Sequence, residues 1–203
     1  MVAPFVFQGQ GRGVHRVKYW EKFKTFKERG EWVELQFMAA AAQRRFAVSK
    51  PWGIQAYDVG IEHGSNFLRV QVKSTTHRVG GGYRCMFRPR HRATHTYTLN
   101  QVDLFAAYVI PLDIWYLIPA VLIVGGDHIS DVMLCPVGTP AKKASYCYEG
   151  YREDWNLLTK SRSELLECGR KTATGYETER ARNGKGTSLL VPSAQQHHSG
   201  FSY

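Results

Sequence analysis

Acidic residues are in short supply. Seventeen Asp and Glu face 27 Lys and Arg in 203 residues, leaving a formal net charge of +10 and a pI near 9.6. This balance argues against an acidic, self-solvating chain and points to a polyanionic partner, because clustered Lys and Arg neutralise phosphates well. Cysteine is sparse too. Cys85, Cys135, Cys147 and Cys168 form no C-x-x-C pair and have no histidine at zinc-finger spacing, so they read as free thiols in a reducing cytoplasm. The N-terminus lacks an apolar run of signal-peptide length, since Gly9, Gly11, Arg12 and Gly13 follow Phe5 to Phe7 at once. No internal repeat is present. One long apolar run, Leu104 to Gly125, approaches the ~20 residues that span a bilayer. Pro111, Asp113 and Pro119 interrupt it, and it reads instead as two buried strands, Leu104 to Ile110 and Ile114 to Ile118; no membrane association is expected.

What is present is a 43% hydrophobic chain, enough for one core. Residues 1–17 form a basic, glycine-bearing arm. Lys18 to Arg29 reads as a short basic amphipathic helix ended by Gly30, and Glu31 to Arg45 as a second, with Trp32, Leu35, Met38 or Ala39, Ala42 and Phe46 on its apolar face. An extended piece at Phe46 to Val48 follows. Residues 75–97 are a basic insertion with Tyr83 and Phe87 interleaved, and Tyr148 to Glu167 offers a helix around Trp155, Leu157, Leu158, Leu165 and Leu166. The expected organisation is an N-terminal arm and helix over 1–29, one α/β (α+β) domain over 30–168, and a flexible tail over 169–203.

The stretch from Tyr57 to Ser74 carries the chemistry. Leu68, Val70 and Val72 alternate with Arg69, Gln71 and Lys73, as a half-buried strand requires, and Tyr57, Val59 and Ile61 share a face of the preceding run. Pairing the two apolar faces sets Val59 against Val70 and Ile61 against Leu68, which places Asp58 opposite Gln71; a one-residue slip would bury Asp58. The register thus gathers a carboxylate, an amide and a lysine on one patch. Mg²⁺ takes oxygen ligands, which Asp58, the Gln71 side-chain carbonyl and the Val72 backbone carbonyl can supply. Lys73 beside them can hold a water and stabilise charge on a phosphorane-like transition state, so the patch suits metal-assisted phosphodiester hydrolysis.

With these residues the chain resembles the PD-(D/E)XK nuclease superfamily, and within it the branch related to group I intron-encoded homing endonucleases. The resemblance spans roughly residues 30–119. It rests on Gly30-Glu-Trp-Val-Glu34 opening a helix, Tyr57-Asp58, Gln71-Val-Lys73, and the block from Asp103 to Pro119. It implies a restriction-endonuclease-like core with a central mixed β-sheet flanked by helices. It also implies Mg²⁺-dependent cleavage of double-stranded DNA, with Mn²⁺ as a substitute, and a homodimer or higher homo-oligomer. Carried over by residue, Glu34 matches the helix acid near the metal, Asp58 the essential ligand, Gln71 the third-position ligand and Lys73 the motif lysine. Tyr57 stands where the motif has proline, and Gln71 where it usually has an acid, which removes one negative charge that Glu34 can return.

The DNA contacts expected from charge are Lys18, Lys22, Lys24 and Lys27 before the core, and Arg78, Arg84, Arg88, Arg90 and Arg92 in the insertion. His63, His77 and Glu62 read as turn, loop and solvated residues, Asp103 as a strand-start carboxylate, and Trp115 and Tyr116 as core aromatics. Two rivals share these features: a junction resolvase or repair nuclease on the same core, and a non-catalytic DNA-binding module.

Overall fold

A computed structural model of the chain describes residues 19–87, 97–124, 131–136 and 148–168. The basic arm over 1–17, Lys18, Arg88, Arg90, Arg92, Cys147 and the tail over 169–203 lie outside the described residues.

After a 3-10 turn at Tyr19–Lys22, one helix, α1, runs over Phe26–Gln43. The two-helix reading broken at Gly30 is therefore corrected: the glycine lies inside α1. The start is set by Thr25, whose hydroxyl accepts from Glu28 N, while the Glu28 carboxylate accepts from Lys24 N. The pair differs from a capping box in that Glu28 reaches the amide one residue before the cap and not that of Thr25 itself. The far end closes as a Schellman motif, with Arg45 N and Phe46 N donating to Ala42 O and Ala41 O and Arg45 held at φ 70°. The buried stripe is Val33, Phe37 and Ala41, flanked by Trp32, Met38 and Ala40, whereas Leu35 is 58% exposed. The face is rotated from the expected one. In an alanine-rich helix the small residues weigh nearly equally on every side, so Phe37, stacked on Trp155, decides the orientation.

Strands β1 (Ala47–Ser49), β2 (Val59–His63), β3 (Asn66–Thr75), β6 (Leu104–Val109) and β7 (Ile114–Pro119) form a five-stranded sheet in the order β1-β2-β3-β6-β7. Only the β3–β6 pair is parallel, so the sheet is mixed, as expected. The hairpin has the register that burial demanded: Val59 pairs with Val70 and Ile61 with Leu68. Its two-residue turn sets Gly64 at φ 60°, a conformation glycine adopts freely. The apolar run is indeed two strands, joined through a 3-10 turn at Ile110–Leu112 and Asp113 at φ 57°. No described helix is long and apolar enough to cross a membrane.

Alternation along β6 divides the interior in two. Leu104, Ala106 and Tyr108 join α1 and the hairpin residues in one cluster, with Trp155, Leu157, Leu158 and Leu165. Phe105, Ala107 and Val109 join Tyr116, Ile118, Tyr83, Cys85 and Phe87 in the other. The second cluster exists because strands β4 (Arg78–Val79), β5 (Gly82–Met86) and β8 (Asp131–Leu134) form a separate three-stranded antiparallel sheet over that face. The first part of the basic insertion is thus a packed layer and not a solvated loop. Its glycines hid the alternation that Tyr83 and Cys85 inward, Arg84 outward, now display. Toward the C-terminus the expected single helix is broken into 3-10 turns at Glu149–Tyr151 and Trp155–Thr159 and a short helix, α2, over 162–168.

Candidate nuclease site

The site forms where β2 begins beside the middle of β3. Asp58 is the last residue before β2, and its amide donates to Val70 O at 2.9 Å, which seats it across from Gln71. Its Oδ2 accepts from Val72 N at 2.9 Å and from Gln71 Nε2. Gln71 is only 6% exposed, so its amide and the Asp58 carboxylate meet away from bulk water. The amide orientation departs from the expected one, since its NH₂ and not its carbonyl faces Asp58. The carboxylate needs a donor, and the amide satisfies it. Nε2 also lies 3.5 Å from Val72 O.

Burial, and then the negative charge of Glu34, push the Asp58 carboxyl up to about 6; the Val72 amide and the charges of Lys73 and Lys50 pull the other way. The charge of Glu34 is therefore felt at Asp58. Glu34 reaches the site from the middle of α1, where it accepts from Lys50 Nζ at 2.8 Å. That bond, against the opposing effect of burial, holds the Lys50 ammonium above its ordinary pKa. Lys50 follows β1 directly, and nothing in the sequence around it marked it for this place.

Lys73 lies two residues beyond Gln71 on the same face of β3. Its Nζ donates to the Tyr97 hydroxyl at 2.9 Å and sits 5.1 Å from the centre of that ring. Burial raises the Tyr97 hydroxyl pKa, and the Asp58 charge adds to it. Tyr97, missed in the sequence, packs its ring edge-on against Phe105 of β6. Burial, against the opposing charge of Lys73, pushes the Cys85 thiol up to about 12, which makes Cys85 a packing residue and not a nucleophile.

The donors assembled here are hard oxygens: the carboxylates of Asp58 and Glu34, the Gln71 amide and the Val72 carbonyl. Among the described residues no group of three or more His, Cys, Asp or Glu is placed to hold a metal, so this set suits a cation content with few charged ligands and several waters. A buried carboxylate whose charged form is opposed by burial and by a second carboxylate is relieved by such an ion. The residues therefore fit a hard divalent cation.

The remaining candidates sort clearly. Lys22, Lys24, Lys27, Arg78 and Arg84 are exposed; Lys27 also approaches Glu31 at 3.7 Å. Asp103, by contrast, is structural. It accepts from the Arg69 backbone and guanidinium and from Arg162 Nε, at 2.7 to 3.1 Å. Arg69 is thereby committed to Asp103. Tyr116 is fully buried and donates to Glu149, which with burial raises its hydroxyl pKa, and Trp115 packs on Tyr108. His63 stands at the end of β2 against the Phe46 ring, and Glu62 is exposed.

Residues 24–157 match the model of a family described as PD-(D/E)XK endonuclease. Among solved structures the chain is similar to a bacterial homing endonuclease, I-Ssp6803I. That likeness has 29% identity and a TM-score of 0.56, and it covers 66% of this chain and 93% of the other. No curated protein sequence matches.

Proposed function

Because the chain belongs to the PD-(D/E)XK endonuclease family, we propose that it is a Mg²⁺-dependent endonuclease hydrolysing phosphodiester bonds of double-stranded DNA, of the homing type. The observation that carries this reading is the buried Asp58–Gln71 contact, with Lys73 two residues further along the same strand face and the Glu34 charge bearing on Asp58. The homing endonuclease likeness supports the choice of DNA and of the homing class.

Asp58, Glu34, the Val72 carbonyl and, once its amide turns its oxygen inward from the orientation that satisfies Asp58, Gln71 would hold the ion, and Mn²⁺ would serve in its place. When bound, it supplies concentrated positive charge beside the scissile phosphate and makes water there more acidic. The rest falls to the chain's own groups. Lys73 donates to the attacking water and to the phosphoryl oxygens on which charge accumulates, while the water oxygen bonds to phosphorus and gives its proton to solvent, and the bond to the leaving sugar oxygen breaks as that oxygen takes a proton from solvent. Tyr97 fixes the ammonium for that task. Gln71, by its burial, keeps bulk water from the Asp58 carboxylate and preserves the field there. Lys22, Lys24, Lys27, Arg78 and Arg84 provide phosphate contacts, joined by Lys18, Arg88, Arg90 and Arg92 from the same basic segments. One such site cuts one strand, so cleavage of both calls for a homodimer or higher homo-oligomer.

The test is supercoiled plasmid and a four-way junction, each with Mg²⁺ or EDTA, using the wild type, Asp58→Ala and Lys73→Ala. Metal-dependent cuts lost in both variants are expected, with discrete plasmid fragments. Equal residual nicking in the variants would overturn catalysis, and cutting confined to the junction would replace the homing reading with a resolvase.

A further inference from the structure

The loop between β1 and β2 holds the site at both ends and shows apolar side chains at its apex. At one end Lys50 is bonded to Glu34; at the other Asp58 is fixed by Val70 and Val72. Between them Trp52 and Ile54 are 96% and 102% exposed, on either side of Gly53 at φ 74°. Apolar surface of this size left in water forgoes roughly 25 cal/mol for every Å², and paired large side chains at a loop tip mark a contact surface more than a packing accident. The ends of the loop are rigid and only its tip lacks cover, since Tyr57 already packs edge-on against Phe67.

Resting on the nuclease reading above, we infer that Trp52 and Ile54 form an apolar wedge that enters a groove of the duplex and packs on base or sugar faces next to the scissile phosphate. The occupant follows from position and chemistry. A phosphate brought to Asp58 and Lys73 draws its duplex past a loop that ends at Asp58, and the +10 net charge favours a polyanion there. Phosphates offer nothing to an indole or an isobutyl-sized side chain, whereas bases and sugars do. The loop therefore adds what the lysines and arginines lack, a contact sensitive to base stacking.

The experiment is done in EDTA at low salt, so that binding is read without cleavage. A short duplex carrying 2-aminopurine is titrated against the wild type, Trp52→Phe, Trp52→Ala and Ile54→Ser. Trp52 emission, taken as the difference between the wild type and Trp52→Phe, becomes shielded from acrylamide at saturating DNA. The 2-aminopurine brightens as its stack opens. Trp52→Phe, which keeps an aromatic face, weakens binding less than Trp52→Ala, which weakens it roughly tenfold or more, and all variants keep the wild-type unfolding midpoint because both side chains lie outside the core. A protein that binds duplex with Trp52 still open to acrylamide overturns the wedge and leaves the nuclease reading standing. Shielding that grows with protein concentration in the absence of DNA assigns the tip to a second copy of the chain and likewise overturns it. A wild type that binds no duplex overturns both.

Discussion

Lys73 is clasped by Tyr97: its ammonium donates to the hydroxyl at 2.9 Å and lies 5.1 Å from the ring centre. Tyr97→Phe removes the first contact and keeps the second. The expected result is a single-turnover cleavage rate about tenfold lower, near 1.4 kcal/mol, with DNA affinity and unfolding midpoint unchanged. A loss confined to DNA affinity would make Tyr97 a binding residue and not a positioning one.

The Asp58 carboxyl, ordinarily at 3.8, stands at about 6. Its folded-state pKa is raised, so between these values the native protein binds more protons than the unfolded one. Stability of the metal-free protein from this group is present below pH 4 and is lost as pH rises to 6, on the order of 3 kcal/mol at ~1.4 kcal/mol per unit. Denaturant unfolding in EDTA from pH 4 to 7 measures it against Asp58→Asn, which lacks the effect. Proton and ion compete for the same oxygens, so divalent-ion affinity should fall roughly tenfold per unit below pH 6. Calorimetric titration at pH 5, 6 and 7 checks this, and an affinity flat over that range would remove Asp58 from the ligand set.

Gln71→Glu adds a third carboxylate and deletes the donor that now satisfies Asp58. In EDTA the variant should lose about 2 kcal/mol to repulsion and an unpaired buried oxygen. Mg²⁺ should reverse the loss and bind about tenfold more tightly than to the wild type, near 1.4 kcal/mol. Thermal unfolding with and without the ion separates the two effects. Equal loss in both conditions would mean that the position does not face the ion.

Asp103→Ala breaks the Arg69–Asp103–Arg162 network, in which the acid is 2% exposed and its partners 20% and 45%. The cost should be about 3 kcal/mol, since two cations lose one buried counter-charge. Urea unfolding gives the value. Cleavage per folded molecule should not change, because Asp103 braces β3 against the start of β6 and takes no part in the chemistry.

The hairpin was legible because its face alternation and the burial of Val59, Ile61, Leu68 and Val70 permit a single register, and Asp58–Gln71 followed from it. The β6–β7 pair was legible for the same reason. The stripe of α1 was not: with Ala39, Ala40, Ala41 and Ala42 in series, periodicity has little contrast, and only Phe37 meeting Trp155 settles the rotation. Tyr97 and Lys50 were invisible because their partners are tertiary. Lys73 is 24 residues from Tyr97 and Lys50 is 16 from Glu34, and no short-range pattern links either pair. Alternation put Arg69 on the polar face of β3, which holds, but it assigns a face and not a partner, and Asp103 lies 34 residues away.

The parallel join of β3 to β6 bears on how the molecule assembles. Asp58 meets Gln71 across a two-residue turn, a contact 13 residues apart that closes early and with little chain entropy. The parallel neighbour arrives only after the whole segment between Thr75 and Leu104 has been threaded back to the same edge of the hairpin. The Asp58, Gln71 and Val72 oxygens proposed to hold the ion thus sit in a unit that folds locally, joined by Glu34 from α1, while the segment between Thr75 and Leu104 lies outside that unit. Tyr97 is a tether carried by that segment. Any replacement for that segment keeps the Lys73 clasp only if it still delivers a hydroxyl there.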